Sequence, residues 1–134
     1  MSRSLDDLEP ETRIMAEELI ARAAAAGFPI IVTQTLRTFA EQDALYAQGR
    51  TAPGKKVTNA RGGYSWHQFG RAFDVAFKGP KGGVLWTGPW EELGSLAESI
   101  GLEWGGRWKS LKDRPHMEHR GGMTLAQARA QASG

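Results

Sequence analysis

Ser65-Trp66-His67-Gln68-Phe69-Gly70-Arg71-Ala72-Phe73-Asp74-Val75-Ala76-Phe77 is the stretch that decides the fold. From Gly70 to Phe77 the side chains alternate as in a strand. Phe73, Val75 and Phe77 fall on one face, and Ala72, Asp74 and Ala76 on the other. The first face predicts core. The second sets one carboxylate between two small side chains and leaves space above the sheet. A bare carboxylate inside a strand is unfavourable unless paired, and a bound cation offsets that cost. His67 stands in the loop that enters this strand.

Upstream, Leu8, Met15, Leu19, Ala23 and Ala26 recur at helical spacing and Gly27 supplies a stop, which predicts a helix over 8–26. Ile30 to Leu36 reads as a strand with Arg37 at its end. Thr38 and Glu41 form a capping-box pattern for a helix over 39–48, ended by Gly49. Residues 50–66 lack periodicity and predict a long loop of the kind that often binds ligands. Downstream, a turn at 79–83 leads into Val84–Trp86, and Leu93, Leu96, Ala97 and Ile100 mark a helix opened near Pro89 and closed by Gly101. The Ala-rich segment after Thr124 predicts a last helix. Helices flanking hairpin-like strands predict an α+β domain with a small, mainly antiparallel sheet. With 134 residues, one catalytic domain over 1–134 is expected, with 1–7 and 122–134 as peripheral termini.

Composition narrows the chemistry. No apolar run approaches the roughly 20 residues that span a bilayer, and the N-terminus lacks the apolar core of a secretory signal. No stable membrane insertion is expected. A net charge of +2 without a basic stripe argues against nucleic acid as a partner. Cysteine is absent, which excludes disulfides, thiolate nucleophiles and Cys-type zinc sites. Any metal must be held by His, Asp and Glu, and the three histidines are His67, His116 and His119.

A second segment, Asp113-Arg114-Pro115-His116-Met117-Glu118, sets an acid three residues before a histidine, with Pro115 stiffening the approach. Two neutral imidazoles and a carboxylate suit hydrolytic zinc and leave a position for water. His67, Asp74 and His116 are therefore the expected ligands of one Zn2+ per chain. Asp113 is the expected general base, with capping of the turn before Pro115 as the plainer reading. Arg37 is expected at the carbonyl oxygen, with a surface ion pair to Glu41 or Asp43 as its alternative. Ser65 and Gln68 are candidate substrate contacts, although Ser65 could equally orient a ligand or close a turn. Glu118 shares strand parity with His116 and is either an alternative base or an orienting partner. His119 has the opposite parity and is expected at the surface or in a supporting position.

The pattern Ser-x-His-x-x-Gly-x-Ala-x-Asp, followed by Asp-x-x-His, resembles the LAS (peptidase M15-type) zinc metallopeptidases. The likeness is closest to phage L-alanyl-D-glutamate endopeptidase endolysins, through Thr35–Thr38, Gln42–Thr51 and Trp104–Ser110, and it covers about residues 5 to 120. It implies a Hedgehog/DD-peptidase-like fold, zinc on His67, Asp74 and His116, Asp113 as base and Arg37 against substrate. It implies bacterial peptidoglycan as the substrate, cut between L-alanine and D-glutamate. The alternatives are a D-alanyl-D-alanine carboxypeptidase or dipeptidase, and a non-catalytic wall-binding module. A monomer made in the host cytoplasm, and released by a holin to the wall or periplasm, completes the expectation.

Overall fold

The computed structural model describes residues 1–133. The first predicted helix forms as α1, Pro10–Ala25. It starts later than the apolar spacing suggests because Glu9 caps it. The Glu9 carboxylate accepts the free N–H groups of Glu11 and Thr12 at 3.2 and 2.6 Å, and Pro10 fills a first-turn position where no N–H is needed. The second helix, α2 (Phe39–Ala47), carries the reciprocal Thr38–Glu41 capping box. The amphipathic α3 spans Trp90–Ile100, and α4 spans Leu125–Ser133.

Five strands form the sheet: β1 (Ile30–Gln34), β2 (Ala72–Lys78), β3 (Val84–Leu85), β4 (Glu103–Trp104) and β5 (His116–Glu118). The order is β1-β2-β5-β4, every pairing is antiparallel, and β3 hairpins onto the end of β2. β1 is shorter than the predicted 30–36. Its register against β2 shifts between Val32 and Gln34, and the Thr35 N–H turns instead to the Ser2 carbonyl at 2.8 Å. The two-residue β4 was not expected from the sequence.

The alternation in β2 sorts the molecule into two sides. Phe73 pairs in register with Met117, and both are fully buried with Leu19 of α1 and Leu93 of α3. Burying each such side chain contributes about 1.5–3 kcal/mol, so this side anchors the fold. On the other side Asp74 lies opposite His116, and Ala72 opposite Glu118. Part of that face is closed by Trp66 and by Ala128 of α4, which pack on Ala72. Asp74 keeps partial exposure on this side.

Candidate metal centre

His67 lies in a 3-10 turn, Trp66–Phe69, which Ser65 and Gln68 hold as a capping box. The Ser65 Oγ accepts the His67 N–H at 3.4 Å, and Gln68 Oε1 accepts the Ser65 N–H at 3.0 Å. Gly70 ends the turn with φ 68°, where an added Cβ would meet the Glu9 nitrogen at 2.9 Å. The His67 ring is 1% exposed, and its Nδ1 lies 2.7 Å from the Thr35 carbonyl. A carbonyl only accepts, so Nδ1 carries the hydrogen and Nε2 is left with a bare lone pair. That Nε2 is 3.3 Å from Asp74 Oδ1. His116 uses the opposite nitrogen. Its Nε2–H donates to Glu118 Oε1 at 2.7 Å, which leaves Nδ1 3.3 Å from the same Asp74 oxygen.

One donor atom from each of His67, Asp74 and His116 therefore lies within 4.8 Å of the others. Three buried side-chain atoms have no hydrogen-bond partner among the described residues: His67 Nε2, Asp74 Oδ1 and Arg37 Nε. Two of these three are donors of the cluster. An orphaned buried polar atom costs about 1–3 kcal/mol, and a shared cation removes that cost at both. Two imidazole nitrogens and a carboxylate oxygen are the donor chemistry of zinc and of similar divalent ions. The residues fit a metal. Electrostatics agree. Burial by itself would raise the Asp74 carboxyl, but His67 and His116 hold it far below its usual range. Burial would likewise lower His116, yet the Asp74 and Glu118 carboxylates beside it raise it to about 10.

The surrounding shell is built from every neighbouring element. Glu118 Oε2 accepts from Arg120 Nε at 2.5 Å, and Arg120 also meets Glu103 at 2.8 Å. The Trp108 ring lies against the His116 ring, centroids 4.9 Å apart. Asp113 is half-buried in the loop before β5. Its N–H donates to the Gly105 carbonyl, and its carbonyl accepts the His116 N–H, both at 3.1 Å. A Cβ at residue 105 would run into the Asp113 carbonyl oxygen and reach His116 Cβ at 3.0 Å, so glycine permits this approach. Burial first, and the Asp74 carboxylate second, push the Asp113 carboxyl above its ordinary range.

Arg37 faces the same space. Its NH1 donates to Gln42 Oε1 at 2.8 Å and its NH2 to Gln34 Oε1 at 2.5 Å, with Asp74 Oδ2 3.6 Å away. The surface ion pair weighed for it does not form. Glu41 pairs with the Met1 ammonium, and Asp43 accepts the Gly62 N–H. Gln68 has a different place from the expected substrate contact. Its Nε2 donates to the Arg37 carbonyl and to Gln42 Oε1, so both ends of the amide hold the frame and it does not line the cleft. Ser65 does line the cleft. His119 points to the start of α1, near Thr12, Glu9 and Glu11. There the Glu9 carboxylate is already engaged as the helix cap and lies 3.8 Å from Arg71.

His67 and His116 of the cluster line a cleft of about 850 Å³, together with residues 56–60 and 110–113. Sequence reasoning missed Thr35, Gln34, Gln42 and Trp108. Gln42 alone left a signal, since an uncharged polar residue takes an inward position of α2 and is fully buried there.

Two imidazoles and a carboxylate converging beside a half-buried acid, in an open cleft on an antiparallel sheet, define a mononuclear metallohydrolase type of site. The chain belongs to the M15 peptidase family. The family model described as D-alanyl-D-alanine carboxypeptidase matches residues 58–119. The chain is 42% identical over 122 residues to the peptidoglycan L-alanyl-D-glutamate endopeptidase CwlK of Bacillus subtilis, covering 84% of this chain and 73% of that protein. It is 30% identical over 125 residues to the L-alanyl-D-glutamate peptidase of Listeria phage A118, covering 87% of this chain but 41% of that protein. The crystal structure of the Serratia marcescens L-Ala D-Glu endopeptidase ChiX superposes with a TM-score of 0.63 at 25% identity, over 96% of this chain and 91% of that one.

Proposed function

We propose that the chain is a zinc-dependent endopeptidase of bacterial peptidoglycan that hydrolyses the stem peptide between L-alanine and D-glutamate. The observation that carries this reading is the convergence of His67 Nε2, Asp74 Oδ1 and His116 Nδ1, two of them orphaned, beside a cleft of about 850 Å³ that both histidines line. Identity of 42% to an enzyme named for that bond supports the choice of bond. His67, Asp74 and His116 would hold one zinc ion per chain. When bound, zinc supplies a Lewis acid that polarises a carbonyl and brings the pKa of a water to ~7. Asp113 takes the proton of the attacking water and passes it to the leaving amine as the C–N bond breaks. Its carboxyl, raised by burial and by Asp74, is a stronger base than a solvated aspartate. Arg37, held by Gln34 and Gln42, donates to the carbonyl oxygen as its charge grows. Ser65, at the cleft wall, contacts the peptide.

The enzyme acts as a monomer. It is made in the host cytoplasm and reaches the wall or periplasm through a separate holin, a phage-type role that the likeness to the Listeria phage peptidase supports. The family description favours a second reading, removal of terminal D-alanine. Digestion of peptidoglycan by zinc-loaded wild type, His67→Ala and Asp113→Ala, with product mass spectrometry, separates the two. New N-terminal D-glutamate from wild type alone, with zinc retained in Asp113→Ala, is expected. Release of D-alanine alone would transfer the cut to the stem terminus. Zinc binding without cleavage would leave a wall-binding module.

A further inference from the structure

The cleft differs in charge from the rest of the molecule. On α1, on α3 and in the turn before α1, carboxylates are tied up in local ion pairs: Asp6 and Glu17 with Arg13, Glu18 with Arg22, and Glu98 with Arg107. The cleft lining instead sets Arg37, Lys56, Lys112 and Arg120 against Asp113 and Glu118. Arg120 and Glu118 neutralise each other, and a divalent ion on one carboxylate adds further positive charge. Lys56 and Lys112 both line the cleft, and among the described residues neither has an ion-pair partner.

Both lysines are presented by constrained backbone. Lys56 follows Lys55, whose carbonyl accepts from Gln48 Nε2 at 2.9 Å, and stands two residues before Thr58, whose carbonyl accepts from Arg50 at 3.0 Å. Its own nitrogen is packed so closely on Gly49 that a Cβ there would come within 2.5 Å. Lys112 follows Leu111, which has φ 49° and is the sole non-glycine residue with positive φ among the described residues. A leucine takes that conformation only under strain, and such strain gathers at ligand-binding segments. Ser110, Leu111 and Lys112 all line the cleft.

We propose that Lys56 and Lys112 form a carboxylate-reading pair that selects an acidic peptide with a free carboxylate beside the scissile bond. The proposal rests on the endopeptidase reading above. Glutamate has two carboxyl groups and only one can carry the chain onward, so an L-alanyl-D-glutamate peptide keeps the other as an anion unless it is amidated. The lysines therefore discriminate free-acid from amidated stem peptides.

The test compares two synthetic stem peptides, identical except that the free glutamate carboxyl is an acid in one and an amide in the other. Zinc-loaded wild type is expected to prefer the acid peptide in kcat/KM by about tenfold, since each partly exposed ion pair is worth about threefold. Lys56→Gln and Lys112→Gln each lose about threefold on the acid peptide and nothing on the amide. Lys81→Gln, in the exposed 79–83 turn, matches wild type. The preference fades toward ~1 M salt, where the screening length is ~3 Å, a response that mere structural damage would not give. Equal losses on both peptides, or no preference in wild type, overturn the assignment. Calorimetric binding of both peptides to zinc-loaded Asp113→Ala reads the lysines without cleavage. Failure of wild type to cut either peptide then refutes the bond, whereas equal affinity for acid and amide refutes the lysine pair.

Discussion

Replacing Glu118 tests how the centre is held. Its carboxylate is almost fully buried, takes the His116 Nε2–H at 2.7 Å, and is itself gripped by Arg120. That bond decides which nitrogen of His116 faces Asp74. A hydrogen bond to a charged group is worth about 1.5–3 kcal/mol, which matches the roughly 10- to 100-fold loss of metal affinity usual when a ligand's orienting partner is removed. Glu118→Ala should therefore bind zinc about 10- to 100-fold more weakly. Glu118→Gln keeps an acceptor but loses its charge, and should lose about half that free energy, or about 3- to 10-fold. Competition with a chelator at fixed pH measures both, and the cobalt(II) spectrum reports any change of ligand nitrogen. Zinc-saturated Glu118→Gln should keep most of its activity while Asp113→Ala does not, which separates orienting partner from base. A folded Glu118→Ala binding zinc within about twofold of wild type would refute the argument that Glu118 fixes His116.

Gly105→Ala should destabilise the fold by about 1–3 kcal/mol in urea denaturation and lower kcat, because the new methyl collides with the Asp113 carbonyl and presses on His116. Stripping zinc should lower the melting temperature on the order of 10 °C relative to protein at a hundredfold excess over its dissociation constant; calorimetry should show the shift in wild type and not in His67→Ala. The Glu41 carboxyl is lowered to about 2 from 4.5 by the Thr38 N–H and the N-terminal ammonium. A depressed folded pKa means its stabilisation is full above 4.5 and is lost as pH falls through about 2. The stability gap between wild type and Glu41→Gln should be flat above 4.5 and close below it, as followed by denaturation across that range.

Much of this was legible in the chain itself. β2 was, because a seven-residue strand shows its two faces through strict alternation, and that alternation singled out Asp74. α2 was, because Thr38 and Glu41 cap it locally. β4 was not: two residues cannot display a period, and the strand exists because β5 gives it an edge. The 3-10 turn around His67 was also hidden, since it rests on Gly70 meeting the backbone before α1. Gln68 was misplaced for the same reason. Proximity to His67 in sequence suggested the cleft, but Ser65, Arg37 and Gln42 together claim both ends of its amide.

The pairing of Asp74 with His116 has a consequence for how the molecule is made. Because side chains alternate across a sheet, sliding β5 against β2 by one residue would send His116 to the helix-covered side and bring Met117 up beside Asp74. β5 is only three residues long, so its alignment is held by Met117 in the core rather than by the ladder itself. A divalent ion distinguishes the two alignments at once, since only one gathers three donors. Burial of Met117 beside Phe73 and the gathering of the three donors thus demand the same alignment, so the core side and the site side of the sheet specify one register together.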